Sequence, residues 1–378
     1  MKRPLLLSQA LALAFAPASV SAQQSLGPTV EYVAHATIIV ESASGTRVLI
    51  DPFNGEMWMG YRFPEGLEVD AVLVTHPHYD HDASWYFDAG IPVFRQPGVY
   101  ELGDVRLVGV EGEHSGAARF RARGAEPHNT IWVIEADGVR LAHLGDNRPP
   151  TAADLEGIGG ADVWFVTPFS PAADVRAVAE AAGVRVVIPV HHRLPDLAAP
   201  GYGLPSAQDW LSALDRGVRH KEYRVTYPPL DLSSALEFHV LAAHPDVSSW
   251  TPELLEAWSL DSRARALSQG GDPGLAIGLL AEAVELAPTV INFHLALAET
   301  LVAVDRLADA REVLARGLAE APRSDVERTL RARGLLARLL AEAGLDAQAE
   351  VLYRLVVQER RTYAADVLAE ALAFLAGR

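Results

Sequence analysis

The sequence predicts a mixed α/β domain followed by an all-α helical region, because its composition and the spacing of its apolar residues change after Pro252. Before that residue, short apolar runs alternate with turns containing Gly, Pro, Asn or Asp, and several of the runs are rich in β-branched residues, which is typical of β-strands. After it, Ala, Leu, Glu and Arg dominate and apolar residues recur at helical spacing. Of the 13 histidines, only His294 lies in the second region.

Composition narrows the functional classes. Hydrophobic residues make up 49% and charged residues 21% of the 378 residues, which is ordinary for a globular protein that buries a core. The net charge of −17 argues against nucleic acid or an anionic membrane surface as the main partner. The chain has no cysteine, which excludes disulfides, thiolate metal sites and a cysteine nucleophile. Any metal must therefore be held by His, Asp or Glu.

The first 22 residues have the pattern of a cleavable secretory signal peptide. Lys2 and Arg3 precede an apolar run, Leu5–Ala16, that is too short to span a membrane comfortably. The small residues of Val20–Ala22 form a cleavage site before Gln23. We expect a secreted or periplasmic protein without stable membrane insertion; the alternative is an uncleaved N-terminal anchor.

Residues 23–245 are expected to form the α/β domain. A helix is expected near Ala83 and another at Ala172–Ala182. Asp137 and Gly138 form the turn of a predicted hairpin. The candidate strands are Ile38–Glu41, Arg47–Ile50, Ala71–Thr75, Val105–Val110, Thr130–Glu135, Val139–His143, Val163–Val166 and Val184–Val190.

Residues 251–378 are expected to form the helical domain, and they contain an internal repeat. Ala276 and Pro288 recur 34 residues later as Ala310 and Pro322. This period, with a small residue early in a helix and a proline closing it, resembles the tetratricopeptide repeat, although the signature aromatic positions are mostly absent. The alternative is a generic helical bundle. The resemblance implies a surface for a protein partner or for self-association.

The segment Thr75–Asp82, THPHYDHD, concentrates metal-ligand chemistry at the end of an apolar run. His and Asp are ligands that zinc accepts when thiolate is absent. Because side chains alternate along a strand, His76 and His78 can point the same way, and the following turn carries Asp80 and His81 to a neighbouring position. The spacing is compatible with one metal at the first pair and a second metal at the next.

This segment resembles the HxHxDH motif of the metallo-β-lactamase superfamily. The family's remaining motifs have candidates in the expected order at Asp51, His114, Asp146 and His191. The sequence PHNTIWVIEADGVRLAHLGDN looks closest to the branch with ascorbate-phosphate lactonase-like enzymes. The resemblance implies an αββα metallo-β-lactamase-like sandwich with metals in a cleft along one edge. Independently of it, several of these residues follow apolar strands, where open α/β sheets collect ligands.

The resemblance also implies roles for these residues. Asp51 is expected to orient a ligand histidine rather than bind metal. His192 is the alternative to His191 as the last ligand. The implied ligands are His76, His78 and His114 for the first metal and Asp80, His81 and His191 for the second, with Asp146 bridging.

The expected function is hydrolysis of an ester, lactone, amide or phosphodiester bond in a small-molecule substrate by a hydroxide between two divalent ions. Zinc is favoured, and manganese or iron would accept the same ligands. Asp80, Asp146 and His128 are the candidate catalytic residues; His128 would bind substrate or polarise its leaving group. The alternative is a tetratricopeptide-like scaffold protein with a structural or vestigial metal domain.

Overall fold

The computed structural model describes residues 27–57, 59–122, 124–197, 203–212, 214, 217–229, 234–321, 326–358 and 364–377. The expected signal segment lies outside these ranges. No helix in the described ranges is both long and apolar enough to cross a membrane.

Two mixed sheets and one small strand pair build the first region. The strands are β1 (Thr29–Ala34), β2 (Thr37–Glu41), β3 (Arg47–Ile50), β4 (Tyr61–Arg62), β5 (Ala71–Leu73), β6 (Val93–Phe94), β7 (Gly98–Leu102), β8 (Val105–Glu113), β9 (His128–Ala136), β10 (Val139–His143), β11 (Val163–Val166), β12 (Val186–Pro189), β13 (Val218–Arg219), β14 (Arg224–Thr226), β15 (Glu237–Val240) and β16 (Ser248–Ser249). The six-stranded sheet has the order β14-β1-β2-β3-β5-β6, and the eight-stranded sheet has the order β13-β15-β12-β11-β10-β9-β8-β7. The remaining strands, β4 and β16, pair with each other.

The main core lies between the two sheets. Alternate residues of facing strands meet there, including Ile38 and Ile50 from one sheet and Trp132 and Phe165 from the other. The predicted hairpin is confirmed: β9 and β10 pair antiparallel, and Asp137 has the positive φ of 51° that this tight turn requires.

The outer layers of the two sheets differ. The helices α1 (Ala117–Arg121), α2 (Ala152–Ile158), α3 (Ala172–Ala181) and α4 (Ala207–Leu211) belong to this region, and residues of α2, α3 and α4 pack on the eight-stranded sheet. The six-stranded sheet is covered instead by side chains such as Phe53 and Met59 from irregular segments. The helix expected near Ala83 is wrong: only a 3-10 turn, Ser84–Tyr86, forms, because Phe87 is already extended.

The second region is helical, so the predicted fold class is confirmed. Ala276 and Ala310, the repeated small residues, are both fully buried at equivalent positions of two helices that begin 34 residues apart. The helices are α5 (Pro252–Gln269), α6 (Pro273–Leu286), α7 (Ile291–Ala303), α8 (Leu307–Glu320), α9 (Val326–Glu342), α10 (Asp346–Gln358) and α11 (Ala365–Ala376).

Candidate metal centre

Histidines and aspartates converge where strands of both sheets end. His35 follows β1, Asp51 follows β3, and the Thr75–Asp82 segment follows β5 closely. From the other sheet, His114 follows β8, and Asp146 and His191 come shortly after β10 and β12. The backbone N–H of His191 donates to the carbonyl oxygen of His35 at 2.5 Å, which joins the two sheets at the site.

The first cluster contains His76, His78, His114 and Asp146, whose candidate ligand atoms all lie within 4.8 Å of one another. His76 Nε2 lies 3.0 Å from His78 Nδ1. Phe120 packs against the rings of His78 and His114, with ring centroids 5.5 and 4.8 Å away. Three imidazoles and one carboxylate in this space form a ligand set suited to a divalent transition metal.

The second cluster contains His35, Asp80, His81 and His191, all buried, again with ligand atoms within 4.8 Å of one another. Asp80 Oδ2 lies 3.2 Å from His35 Nε2 and 3.3 Å from His191 Nε2. Three of the four are the residues that the sequence assigned to the second metal. His35 is an additional candidate ligand.

Asp146 lies between the two clusters. Its Oδ2 is 3.5 Å from His114 Nε2 and 3.8 Å from His76 Nε2, in the first cluster. Its Oδ1 is 3.5 Å from His81 Nε2 and 3.8 Å from His191 Nε2, in the second. Each carboxylate oxygen therefore faces a different histidine group, which is the geometry that a bridging ligand needs.

Asp51 lies behind the second cluster. Its Oδ2 accepts a hydrogen bond from His81 Nδ1 at 2.7 Å, so the opposite ring nitrogen points toward Asp146. The backbone N–H and the hydroxyl of Thr75 also donate to this carboxylate, each at 2.7 Å. A buried carboxylate in this position fixes the tautomer and orientation of a ligand histidine.

The backbone is strained at three of these strand ends. His35, Asp51 and His191 have φ values of 52°, 52° and 57°, in the left-handed region that L-residues rarely adopt. Each such residue costs on the order of 1–3 kcal/mol and persists only where its surroundings enforce it. These three residues each follow a strand, so the positive φ values lie where the chain leaves the sheets.

Protonation follows from burial and charge. Burial lowers the pKa of His81, but the carboxylates of Asp146, Asp51 and Asp80 outweigh burial and raise it to about 10. Burial holds the pKa of His76 well below 6.5 and lowers that of His78 to about 4. Burial therefore favours the neutral form of His76 and His78, and the surrounding carboxylates favour positive charge at His81.

The residues present fit divalent metal ions. His81 Nε2 and Asp146 Oδ1 are buried and make no hydrogen bond, although both are strong polar groups. Leaving such groups unsatisfied costs about 1–3 kcal/mol each. A cation between them would satisfy both atoms and take over the role of the proton on His81.

Two histidines considered from the sequence, His192 and His128, lie outside both clusters. The ring of His192 stacks on Tyr32, and its Nδ1 donates to the carbonyl oxygen of Arg193 at 3.2 Å, so the geometry favours His191 as the ligand. His128 begins β9 with its Nδ1 3.7 Å from Glu111 Oε1, and it is partly exposed. Its catalytic role stays a prediction.

The sequence motifs do not identify His35 as a metal ligand. The signal available was weak: a single histidine after the apolar stretch YVA, without a second ligand beside it. The position of His35 depends on its positive φ and on the hydrogen bond that joins the two sheets. A short sequence motif predicts neither feature.

Two family profiles match the chain. The profile of the beta-lactamase superfamily domain matches residues 29–191, which contain every residue of both clusters, and the tetratricopeptide repeat profile matches residues 267–332. Residues 29–191 are therefore similar to the beta-lactamase superfamily domain and residues 267–332 to the tetratricopeptide repeat, as the sequence motifs indicated. The ascorbate-phosphate lactonase-like branch is not specified by these matches.

Two similar proteins carry the name "UPF0173 metal-dependent hydrolase". The protein from Rubrobacter xylanophilus is 28% identical, over 45% of this chain and 84% of its own length. The protein from Thermococcus onnurineus is 31% identical, over 31% of this chain and 60% of its own length. A solved structure from Thermotoga maritima, described as a candidate Zn-dependent hydrolase of the metallo-beta-lactamase superfamily, has a TM-score of 0.43 and 22% identity, covering 57% of this chain and 100% of that chain.

Proposed function

We propose that this chain is an exported hydrolase that holds two divalent metal ions, zinc in the first instance, and cleaves an ester, lactone, amide or phosphodiester bond. The observation that carries the proposal is Asp146, whose two oxygens face different histidine clusters. A carboxylate shared between two groups of nitrogen ligands is suited to a two-metal hydrolytic site. The relatives named metal-dependent hydrolase support the same class.

The chain's own residues position this chemistry. When bound, the ions would supply an activated water and polarise the oxygen of the scissile bond. Asp51 keeps His81 Nδ1 engaged, so that Nε2 remains available to the cleft. Asp80, whose Oδ2 lies among His35 and His191, is the proposed acceptor of the water's proton. His128 is retained as a candidate substrate contact at the start of β9.

The test is hydrolysis of chromogenic esters, lactones and bis(4-nitrophenyl) phosphate by the zinc-, manganese- or iron-loaded chain. We expect His76→Ala to lower turnover at least about a thousandfold, because the site loses a buried ligand. His220→Ala is the matched control, since His220 follows the edge strand β13, pairs with His239 of β15, and belongs to neither metal cluster. Loss of activity in both variants, or in neither, would contradict the assignment.

Export is a separate part of the proposal and rests on residues 1–22. N-terminal sequencing of the protein recovered from the periplasm or medium of an expressing bacterium tests it. A mature chain that begins at Gln23 is expected, and a retained Met1 in the cytoplasm would contradict it.

A second proposed activity is binding of a protein partner or of a second copy through the helical region. The tetratricopeptide repeat match favours it, as do large apolar side chains that stay exposed on α6, α10 and α11, namely Leu275, Val351 and Leu372. Sedimentation analysis tests self-association. Triple substitution of these residues by Gln should abolish any dimer without changing bound metal, and a dimer that persists would place the contact elsewhere.

A further inference from the structure

The helical region forms part of the wall of the metal cleft. A cavity of about 940 Å³ is lined on one side by metal-cluster residues such as Asp80, Asp146 and His191. Its other side includes Glu299 from α7 and Arg331 from α9. The volume is within the range of small-molecule sites, which is about 300–1,000 Å³. A substrate at the clusters would therefore also meet the helices.

One contact ties the far end of the helical region to the first cluster. Phe120, on α1, packs with Ala125 against Ala365 at the start of α11. The same phenyl ring packs against His78 and His114. The first turn of α11 is thus separated from two candidate ligands by a single aromatic side chain.

A second contact holds the near end. Trp250 Nε1 donates to the carbonyl oxygen of Gly55 at 2.6 Å, and Trp258 Nε1 donates to that of Glu56 at 2.9 Å. The preceding residue, Asn54, donates its backbone N–H to the carbonyl oxygen of Tyr79, within the metal-binding segment. With α11 and α5 both held, the intervening helices have a fixed place over the cleft.

Arg331 is held in a defined position on this wall. Its guanidinium lies 3.2 Å from Glu327 on its own helix and 3.1 Å from Asp366 on α11. Its side chain is 25% exposed, so part of it still reaches the cavity. A guanidinium carries five N–H donors, and two carboxylates fixed at its sides leave donors for a ligand.

The charge of the cavity favours an anion. Among the described residues that line it, three arginines (Arg119, Arg328 and Arg331) balance three outer carboxylates (Glu299, Glu327 and Asp366). The remaining carboxylates, Asp80 and Asp146, carry less charge than the two divalent ions that the clusters fit. The loaded cavity is therefore net positive.

We propose that the helical region is the substrate-selecting wall of the cleft, and that Arg331 contacts an oxyanion group, carboxylate or phosphate, at the end of the substrate away from the metals. This inference rests on the proposed hydrolytic function for the reaction itself. The position of the wall is independent of it, whereas the net positive charge of the cavity depends on the bound ions.

The first experiment probes the charge of the wall and does not require catalysis. Glu299→Cys supplies the sole thiol of a chain that has no cysteine. Its modification rates by an anionic and a cationic methanethiosulfonate reagent are compared with and without zinc. With zinc bound, we expect preference for the anionic reagent, reduced about threefold or more by Arg331→Gln. Hexanoate and hexyl phosphate, added as protecting ligands, distinguish a carboxylate from a phosphate group.

The matched control is Arg338→Gln. Arg338 lies two turns farther along α9 and pairs with Glu370 of α11, as Arg331 pairs with Asp366, but it is not among the residues that line the cavity. A structural contribution of such ion pairs would appear in both variants. A specific effect on the cavity would appear only in Arg331→Gln.

The second experiment compares two esters that differ by one carboxylate, 4-nitrophenyl pentanoate and mono-4-nitrophenyl adipate, on the zinc-loaded chain. Arg331→Gln should raise KM about threefold to tenfold for the adipate alone, with kcat nearly unchanged. If neither ester is hydrolysed, the proposed function fails for esters. The thiol experiment still tests whether Arg331 makes the wall favour an anion. If Arg331→Gln behaves like Arg338→Gln in both experiments, the inference is overturned.

Discussion

The metal clusters and the helical wall differ in the backbone structure that positions their side chains. The cluster residues stand on irregular strand ends, two of them (His35 and His191) with positive φ, where hydrogen bonds and pairing between sheets hold the backbone. The wall residues stand on regular helices, and Asp305, between α7 and α8, is the one non-glycine residue with positive φ that the structure describes there. Geometry at the clusters is therefore local and strained, whereas geometry at the wall depends on how whole helices pack.

This difference predicts two separable kinds of damage. A change behind the clusters should alter metal affinity and leave the helices intact. A change in helix packing should lower the stability of the helical region and leave metal affinity intact.

The largest effect is expected from Asp51→Ala. Without the carboxylate, His81 loses the acceptor of its Nδ1–H and Thr75 loses two bonds, so zinc affinity should fall by about 10–100-fold. Competition with a zinc-binding dye measures it. Asp162→Asn is the control, because Asp162 also accepts a backbone N–H, from Arg140, away from the clusters. Wild-type affinity in Asp51→Ala would show that His81 needs no orienting partner.

Packing of the helical region is tested by Gly317→Ala. A Cβ at Gly317 in α8 would lie 2.6 Å from the ring of His294, which is fully buried in α7. Overpacking of this kind costs about 1–3 kcal/mol in the free energy of unfolding. The control, Gly278→Ala in α6, meets nothing within 4 Å and should stabilise by about 0.5–1 kcal/mol.

Chemical denaturation of the zinc-loaded chain, with metal content measured in parallel, reports both variants. Equal changes in unfolding free energy for the two glycine variants would contradict the packing prediction. Loss of zinc from Gly317→Ala would show that helix packing and metal affinity are not independent.

The smallest effect is a pH dependence carried by His294. Burial lowers its pKa below 6.5 in the folded chain, so the unfolded chain binds more protons as pH falls through about 6.5. Its contribution to stability is therefore present above that pH and is lost below it, by at most about 1.4 kcal/mol per pH unit. His294→Gln should reduce the slope of unfolding free energy between pH 7.5 and 5.5. An unchanged slope would show that this histidine does not titrate differently on folding.

The same difference explains what the sequence could predict. The strands Arg47–Ile50, Val139–His143 and Val163–Val166 form with the predicted bounds, because apolar β-branched runs are bounded by clear turn residues. The closely spaced residues His76, His78, Asp80 and His81 are recognisable as candidate metal ligands because one short segment contains them all.

Features that depend on tertiary packing were less predictable. His128 and Asn129 are adjacent in β9, and adjacent strand residues point to opposite faces. Asn129 is buried and donates to the carbonyl oxygen of Leu144, whereas His128 is partly exposed beside Glu111. The wall could not be predicted either. Glu299 and Arg331 are ordinary charged residues of amphipathic helices, and contacts between the two regions, such as those of Trp250, Trp258 and Phe120, bring them to the cleft.

The most direct test of the account is the amount of metal bound by the chain from Gln23, purified without chelator and compared with Asp146→Ala by elemental analysis. Because one oxygen of Asp146 faces each cluster, we expect about two equivalents in the wild type and a large loss in the variant. Two equivalents in both proteins would contradict the bridging role of Asp146. No bound metal after reconstitution with zinc, manganese or iron would contradict the metal centre itself.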